Sequence, residues 1–366
     1  MVNKWQNFFL IVLTLPIMGH VVLLPLAINL AGRDSWISAL IAFPVGALFL
    51  FCLYRLRLYY TNEDSFESLK EIVGIFLSKI TVIILIIYFI FLASLSLGSL
   101  VDMVSAVFLP QTPVWILVVS FLLLSINGAL KDVKGIALTA SILFFIVMFT
   151  GHSITFINFP ERKLSDLLPL LEYGWKPVLL GAVLLSTIWI ELLFMLMIPI
   201  RNIREKRFFW VALLGVFANM IMILSTMSGS IMTFGLGQTQ HFVYPALEIV
   251  RIININFIDR LDIYGLILMT FGSYIRCSLF VRISCDRILY FLKERKTWKG
   301  ILVYLTVGMI VGVFGYYIGH TRMNLEFFLS IYAYTIVLYP LPFLLLAVVW
   351  LKRRTSSTIF NHTKKP

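Results

Sequence analysis

The chain has 366 residues, of which 60% are hydrophobic and only 13% are charged, and its formal net charge is +12. A soluble protein of this length does not need so much apolar surface, whereas a protein that crosses a membrane many times does. The positive charges lie in short stretches between apolar runs, so they do not indicate a nucleic-acid partner. The composition therefore excludes an ordinary soluble domain and predicts an all-α integral membrane protein in a lipid bilayer.

Ten apolar stretches of about 20 residues each predict ten transmembrane helices. They run over about 8–31, 36–58, 80–108, 113–130, 135–157, 177–199, 208–233, 261–290, 300–319 and 327–351. No polar stretch is long enough for a separate globular domain, so residues 1–366 are interpreted as a single transmembrane domain. The order of the spans permits an inverted repeat of five plus five, over about 8–157 and 177–351.

Basic residues divide unevenly between the two sets of connecting segments. With the N-terminus inside, the inner segments hold roughly three times as many Lys and Arg residues as the outer ones. This bias predicts that both termini are cytoplasmic. It also accounts for the net positive charge of the chain.

Two connections have the pattern of surface helices. In 60–79, the apolar residues Phe66, Leu69, Ile72 or Val73, and Phe76 recur at helical spacing, which predicts an amphipathic helix on the cytoplasmic surface. On the outer side, the segment 244–253 has a proline near its start and apolar residues at helical spacing. The alternatives there are a second surface helix that acts as a lid, and an ordinary loop that rests on helix ends.

The first span contains an unusual centre. Its stretch Leu15–Pro25 holds two prolines, a glycine and a histidine, although the whole span lacks Asp, Glu, Lys and Arg. Proline removes a backbone donor and glycine lowers helix propensity, so the membrane helix is predicted to break here. Unpaired backbone survives at membrane depth only where protein or water lines it. The break is therefore a candidate half of a binding site.

Ionisable side chains inside spans are candidates for function, because burial in lipid disfavours them. Glu191, near the middle of span six, is interpreted as a proton-coupling group or a partner for a ligand ammonium; the alternative is a protonated side chain bonded to a neighbouring helix. Asp102, near the outer end of span three, has equal claims to function and to a helix-end hydrogen bond. His20 is either a ligand contact or proton relay, or a packed histidine. Arg276 is expected to pair with an acid, either Asp102 or Glu191.

Motifs of enzymes and metal sites are missing from the sequence. It has no phosphate-binding loop, His-Glu-x-x-His, paired-cysteine site or Gly-x-Ser-x-Gly. Cys52, Cys277 and Cys285 fall within apolar spans and are predicted to be buried thiols, not a disulfide framework. We therefore expect no catalytic activity, no cofactor and no bound metal.

Landmarks along nearly the whole chain resemble the B subunit of bacterial spore germinant receptors (the GerAB-like family), within the amino acid–polyamine–organocation transporter superfamily. They are the segment Gly19–Pro25, the turn Asp34–Ile37, the acid Asp102, the acid Glu191, Leu109-Pro110-Gln111-Thr112-Pro113 between spans three and four, and Pro245–Arg251 followed by Phe257–Asp262 before span eight. Each motif is weak alone, and their order and spacing together are fairly specific.

The resemblance implies a LeuT-like fold with a 5+5 inverted repeat and breaks in helices one and six. It implies a ligand between these breaks, flanked by spans three and eight, where half-helix ends suit a carboxylate and an ammonium. The candidate ligand-binding residues are then Gly19, His20, Val21, Asp102, Thr187, Ile188, Glu191 and Tyr274.

The same resemblance implies a nutrient sensor of the spore inner membrane. The ligand would be a small nutrient such as an amino acid, and the partners would be an A-type membrane subunit and a C-type lipoprotein subunit. Val21 and Ile190 stand where relatives often have glycine, which predicts a small ligand or short breaks. Two alternatives stay open: a proton-coupled amino acid permease with Glu191 as the proton carrier, and a scaffold subunit whose pocket is filled by side chains.

Overall fold

A computed structural model describes residues 1–60, 64–252, 262–293 and 297–362, without the side chains of His20, Val21, Thr297 and 353–362. In this part of the chain, fifteen α-helices make up almost all of the regular structure, and an isolated bridge joins Val2 to Ile200. The helices are α1 (Lys4–Thr14), α2 (Leu24–Ala31), α3 (Ser35–Arg57), α4 (Ser65–Val73), α5 (Ile75–Met103), α6 (Val114–Ala129), α7 (Val133–Ile157), α8 (Trp175–Ile190), α9 (Phe194–Met197), α10 (Phe208–His241), α11 (Pro245–Arg251), α12 (Asp262–Leu292), α13 (Thr297–His320), α14 (Arg322–Tyr334) and α15 (Leu341–His362).

Eight helical segments of the described chain are long and apolar enough to cross a membrane. They are Leu24–Arg57, Ile75–Phe108, Val133–Ile157, Trp175–Met197, Phe208–His241, Asp262–Leu292, Trp298–His320 and Arg322–Lys352. The stretch predicted as span four is the shorter apolar helix α6, and the stretch predicted as span one is divided between α1 and α2. The all-helical, multi-pass architecture is thus confirmed, whereas the number of ten spans stays a prediction.

Close helix contacts organise the core around α5, which packs extensively against α12 and α13. Small residues make the α5–α13 contact possible, because a Cβ at Gly319 would lie 2.7 Å from the carbonyl oxygen of Gly98. Similarly, α3 packs against α8, and a Cβ at Gly46 would lie 2.6 Å from the ring of Trp189. The Trp189 indole N–H donates to the carbonyl of Ala42 at 2.8 Å, which fixes α8 against α3. Small residues bring helices together in this way where lipid supplies no hydrophobic drive.

The three cysteines are buried and carry free thiols. Cys52 lies in α3, and Cys277 and Cys285 lie in α12. The prediction of buried thiols without a disulfide framework is confirmed.

Both predicted surface helices are present as helices. α4 begins after Asp64, whose carboxylate accepts from the backbone N–H groups of Phe66 and Glu67, and it buries Phe66 and Leu69. The prediction that the same helical face continues to Phe76 is wrong: α4 ends at Gly74, which has a φ of +90°, and Phe76 belongs to α5 and is 77% exposed. A residue with positive φ ends the helix because a right-handed α-helix requires a φ near −60°.

The second of these helices, α11, begins at the predicted proline. It buries Leu247 and Val250, as its helical spacing predicts, and it packs against α10 and α12. The helical alternative for this connection is therefore confirmed, and its role as a lid stays a prediction. Residues 253–261 lie outside the described part.

Candidate ligand site at the broken first helix

The first apolar stretch is interrupted where its sequence predicts. α1 ends at Thr14, a π-helix runs from Ile17 to Val22, and α2 begins at Leu24. Pro16 precedes the π-helix and lacks a backbone N–H, so the regular hydrogen-bond ladder cannot pass through it. The last carbonyls of α1 are therefore available to other partners.

A second interruption lies in the stretch predicted as span six. α8 ends at Ile190, Glu191–Leu193 forms a single 3-10 turn, and α9 follows over four residues, Phe194–Met197. Glu191 thus stands at the point where the helix changes its winding. This interruption is mild, because the backbone stays helical on both sides of the turn.

The two interruptions meet at a fully buried ion pair. Glu191 Oε1 accepts hydrogen bonds from Arg276 Nη2 at 2.8 Å and from the Tyr332 hydroxyl at 2.6 Å. Arg276 Nη1 donates to the carbonyl of Thr14, the last residue of α1, at 3.3 Å. Neither Glu191 nor Arg276 exposes any of its side chain. We call Thr14, Glu191, Arg276 and Tyr332 the Glu191 cluster, which joins α1, the turn after α8, α12 and α14.

Two polar atoms of the Glu191 cluster lack a hydrogen-bond partner among the described residues. Glu191 Oε2 and Arg276 Nε are both buried, and neither has a partner among the described residues. A buried polar atom without a partner costs about 1–3 kcal/mol, and more if it is charged. The cluster therefore presents one unpaired acceptor on an acid and one unpaired donor on a base. Tyr88 of α5 is also buried within electrostatic reach of Glu191.

Aliphatic side chains cover the face of Gly19 in the π-helix. A Cβ at Gly19 would lie 2.6 Å from Ile223 Cδ1 and 3.1 Å from Ile188 Cδ1. Ile188 comes from α8, as expected from the candidate site, and Ile223 comes from α10. The gap beside the break is thus small in this structure.

The remaining candidate ligand-binding residues of the first and sixth apolar stretches are Thr187, His20 and Val21. The Thr187 hydroxyl is buried and donates to the carbonyl of Leu184 at 2.6 Å, within its own helix. His20 and Val21 lie in the π-helix, and their side chains are outside the described part of the structure. Their role as ligand contacts stays a prediction.

Asp102 belongs to a separate group of charges. It is at the end of α5, accepts a hydrogen bond from the Tyr244 hydroxyl, and lies 3.5 Å from Arg322 Nη1. The Arg322 guanidinium also lies over the Tyr244 ring and pairs with Glu326 at 3.1 Å. We call Asp102, Tyr244, Arg322 and Glu326 the Asp102 cluster. It joins α5 and α14 to the residue that precedes α11.

Tyr274 lies on the side of α12 that faces α6. A Cβ at Gly128 of α6 would lie 2.8 Å from the Tyr274 hydroxyl, and both Tyr274 and Cys277 line a small cavity there. The structure therefore brings Ile188 to Gly19 and connects Glu191, through Arg276, to Thr14 at the end of α1, and it places Asp102 and Tyr274 in other surroundings. Among the described residues, no group of three or more His, Cys, Asp or Glu side chains is arranged to hold a metal ion.

Three residues of the site were not predicted from the sequence. Tyr332 and Ile223 are ordinary residues of apolar stretches, and the Thr14 carbonyl is a backbone group. None of them carries a sequence signal that separates it from packing. Arg276 was predicted to pair with an acid, and the structure selects Glu191 from the two candidates.

The sequence model of the Spore_permease family, described as spore germination protein, matches residues 1–321. The chain belongs to this family. It is 27% identical to spore germination protein XB of Bacillus anthracis over 96% of this chain and 99% of that protein. It is 25% identical to spore germination protein KB of Bacillus subtilis (strain 168), over 92% of each chain. These matches confirm the B-subunit family of spore germination receptors that the landmarks indicated.

Two solved structures have a fold similar to that of this chain. The crystal structure of MhsT in complex with L-phenylalanine covers 93% of this chain and 88% of its own, with a TM-score of 0.69 and 12% identity. A Na⁺-coupled sialic acid symporter in a substrate-bound outward-open state covers 88% of this chain and 76% of its own, with a TM-score of 0.63 and 12% identity. At these identities the similarity establishes the fold, and the expected LeuT-like architecture is confirmed.

Proposed function

We propose that this chain is the nutrient-binding membrane subunit of a spore germinant receptor and that its ligand is a small amino acid. The observation that carries the proposal is the Glu191 cluster, a buried acid–base pair at the break of the first helix with one acceptor and one donor unpaired. A family of spore germination proteins supplies the biological setting.

The unpaired atoms match the two charged groups of an amino acid. A ligand ammonium would donate to Glu191 Oε2, and a ligand carboxylate would accept from Arg276 Nε. Binding would then remove the cost of two unpaired buried groups. Ile188 and Ile223 leave little room at Gly19, so a short ligand side chain is favoured.

Ligand binding would act through the balance between two conformations. A ligand shifts such a balance only if it binds one conformation better than the other. The Glu191 cluster ties α1 to α12, α14 and the turn after α8, so a ligand that takes over part of the pair would change how these helices are held together. α11 and α4, which pack on α12 and α5, are the elements that would pass the change to an A-type membrane subunit and a C-type lipoprotein subunit.

The decisive experiment measures binding and uptake on the same purified protein. Thermal-shift assays with the twenty amino acids test binding, and proteoliposomes with an imposed pH gradient test uptake. Binding without uptake supports the sensor. Saturable uptake driven by the pH gradient would contradict it and support a permease in which Glu191 carries the proton.

Two variants connect the binding signal to the cluster. Glu191→Gln removes the charge and keeps the shape, so the ligand-induced shift should disappear while the protein still assembles in the membrane. Tyr339→Phe is a matched control, because its hydroxyl donates to the carbonyl of Val45 at 3.0 Å, away from the cluster. Loss of membrane assembly in Glu191→Gln would instead assign the acid a structural role.

The alternative functions each have a supporting observation. The transporter fold and the full burial of Glu191 favour the proton-coupled permease. The filled face of Gly19 favours a scaffold without ligand. If neither binding nor uptake appears with the full panel, the scaffold is the better description.

The proposed setting is the spore inner membrane, with both termini in the cytoplasm. The excess of basic residues in the segments on the side of the termini supports this orientation. Single cysteines placed at exposed Phe76 and at Phe159 should react with a membrane-impermeant thiol reagent from opposite sides. Reaction of both from the same side would contradict the orientation.

A further inference from the structure

A cavity of about 220 Å³ lies beside the broken helix, on a different side from the Glu191 cluster. Its walls come from the end of α1, α7, α10, α11 and α12. Pro16 and Ile17 at the start of the break line it, and so does Ile249 of α11. None of Thr14, Glu191, Arg276 and Tyr332 contributes to the lining. It is thus separate from the site proposed for the nutrient.

The cavity is apolar apart from a few groups, and its one charged side chain is a cation. Arg162, from the connection after α7, lines it, and no Asp or Glu of the described chain does. Arg162 Nε is buried without a partner, and the described residues offer the guanidinium no ion pair. A Cβ at Gly229 would lie 3.2 Å from Arg162 Nη2, so the guanidinium rests directly on α10.

The hydroxyl groups of the cavity do not neutralise this cation. Thr226 donates to the carbonyl of Met222 at 2.8 Å, and Thr155 donates to the carbonyl of Gly151 at 3.1 Å. A hydroxyl carries no charge that could balance the guanidinium, and neither of these two accepts a hydrogen bond from Arg162. The Arg162 guanidinium therefore lacks an anionic partner among the described residues, whereas the apolar walls of the cavity suit an aliphatic group.

The size and the opening of the cavity limit the ligand further. Its volume is below the range of about 300–1,000 Å³ that is typical for drug-sized ligands, so it suits a short tail. Two lining residues, His152 of α7 and Ile221 of α10, are exposed, so the cavity reaches the surface between these two helices. On α7 the neighbouring Phe149 is 77% exposed and apolar, which indicates a lipid-facing surface.

The geometry points to a second binding site, for an amphipathic anion whose head pairs with Arg162 and whose aliphatic tail fills the cavity. The ligand comes either from solution, as a short-chain organic acid, or from the bilayer, as an anionic lipid that enters between α7 and α10. Its tail would touch the break at Ile17 and the underside of α11 at Ile249. An occupant therefore acts on the same helix that the nutrient site uses.

Two variants, each with a control, test separately whether the cavity binds the tail of the ligand and whether Arg162 binds its head. Gly151→Leu fills the cavity, because a Cβ at this lining position meets no atom within 4 Å. Gly300→Leu is its control, since Gly300 of α13 also has open space and lies away from the cavity. Arg162→Gln removes the cation, and Arg162→Lys keeps the charge.

The experiment uses the full-length protein in phosphatidylcholine nanodiscs, with octanoate as the anionic probe and octylamine as the cationic one. Octanoate should raise the melting temperature in a saturable manner, and octylamine should not. Arg162→Gln should need at least about tenfold more octanoate, as expected for the loss of a charged hydrogen-bond partner. Gly151→Leu should abolish the shift, and the two controls should retain it.

A parallel measurement distinguishes the sources of the ligand. Native mass spectrometry on protein exchanged into phosphatidylglycerol tests for a retained lipid. Retention that is lost in Gly151→Leu and Arg162→Gln, without an octanoate shift, supports the site and assigns it to lipid. Equal shifts with octanoate and octylamine, or no shift together with no retained lipid, would overturn the proposal. The comparison of the two probes on the unmodified protein holds even if a variant fails to fold.

Discussion

The burial of the Glu191–Arg276 ion pair predicts how the free energy of unfolding changes when either residue is replaced. Arg276→Met leaves Glu191 with only the Tyr332 hydroxyl, in a place where no part of the side chain reaches the surface. Removing one partner of a buried ion pair typically costs about 3–5 kcal/mol, because the other charge is left uncompensated. Glu191→Leu should cost a similar amount, since Arg276 then retains only the Thr14 carbonyl.

The double variant Glu191→Leu/Arg276→Met should recover most of the loss. Replacing both charges by apolar residues is often neutral, or stabilising by about 1–4 kcal/mol, because the desolvation cost disappears with them. Reversible unfolding in mixed micelles measures the four free energies of the cycle. Amino-acid binding to the double variant should be absent, which separates the pair's contribution to stability from its proposed role in recognition.

Two results would refute this reasoning. Single variants that each cost under about 1 kcal/mol would show that the pair is solvated or already exchanged for other partners. Additive losses in the double variant would show that the two side chains do not depend on each other. Tyr332→Phe is the internal reference, since it removes one hydrogen bond to the same acid and should cost about 1.5–3 kcal/mol.

Three further predictions concern the surroundings of the site. Gly19→Ala should lower stability by about 1–3 kcal/mol in the same unfolding assay, because the new methyl group overlaps Ile223, and Gly19→Ala combined with Ile223→Ala should recover part of it. Asp102→Ala should speed hydrogen exchange in α11, because the carboxylate holds the residue before that helix; unchanged exchange would contradict this role of the contact. The Tyr290 hydroxyl holds the pKa of Glu67 below its usual range. The contribution of Glu67 to the α4–α12 contact is therefore complete at neutral pH and is lost as pH falls through that lowered pKa. Tyr290→Phe removes this hydrogen bond, so hydrogen exchange in α4 should be faster at neutral pH and should depend less on acidic pH.

The sequence indicated the position of the candidate site more fully than it indicated the side chains that line it. Glu191 was identified because acids at membrane depth are rare, and the break was identified because proline and glycine interrupt a helix locally. Both signals depend on the residue itself. Tyr332 and Ile223 reach the site from distant helices, and nothing in an apolar stretch tells which tyrosine or isoleucine does so.

The presence of the helices was predicted from the sequence more fully than the positions of their ends. The apolar stretches predicted the helices, because a helix that crosses the bilayer needs a long run of apolar residues. Their ends depended on single residues, as at Gly74, where one backbone angle ends α4 and transfers Phe76 to the next helix. Asp102 was predicted to lie at the ligand site. In the structure it lies at the C-terminal end of α5, where it contacts Tyr244 and Arg322 and not the Glu191 cluster.

The position of α12 decides how the first helix is broken. A Cβ at Gly272 would lie 2.6 Å from Ile17 Cδ1, and one turn further along α12 Arg276 donates to the Thr14 carbonyl. Two contacts four residues apart thus fix the end of α1 and the start of the interruption to one helix. A ligand at the site proposed on the Glu191 cluster would act on one contact, and an occupant of the cavity beside Ile17 would act on the other. If one ligand changes the affinity for the other, the reverse change must have the same factor, and titration of one ligand in the presence of the other measures that factor.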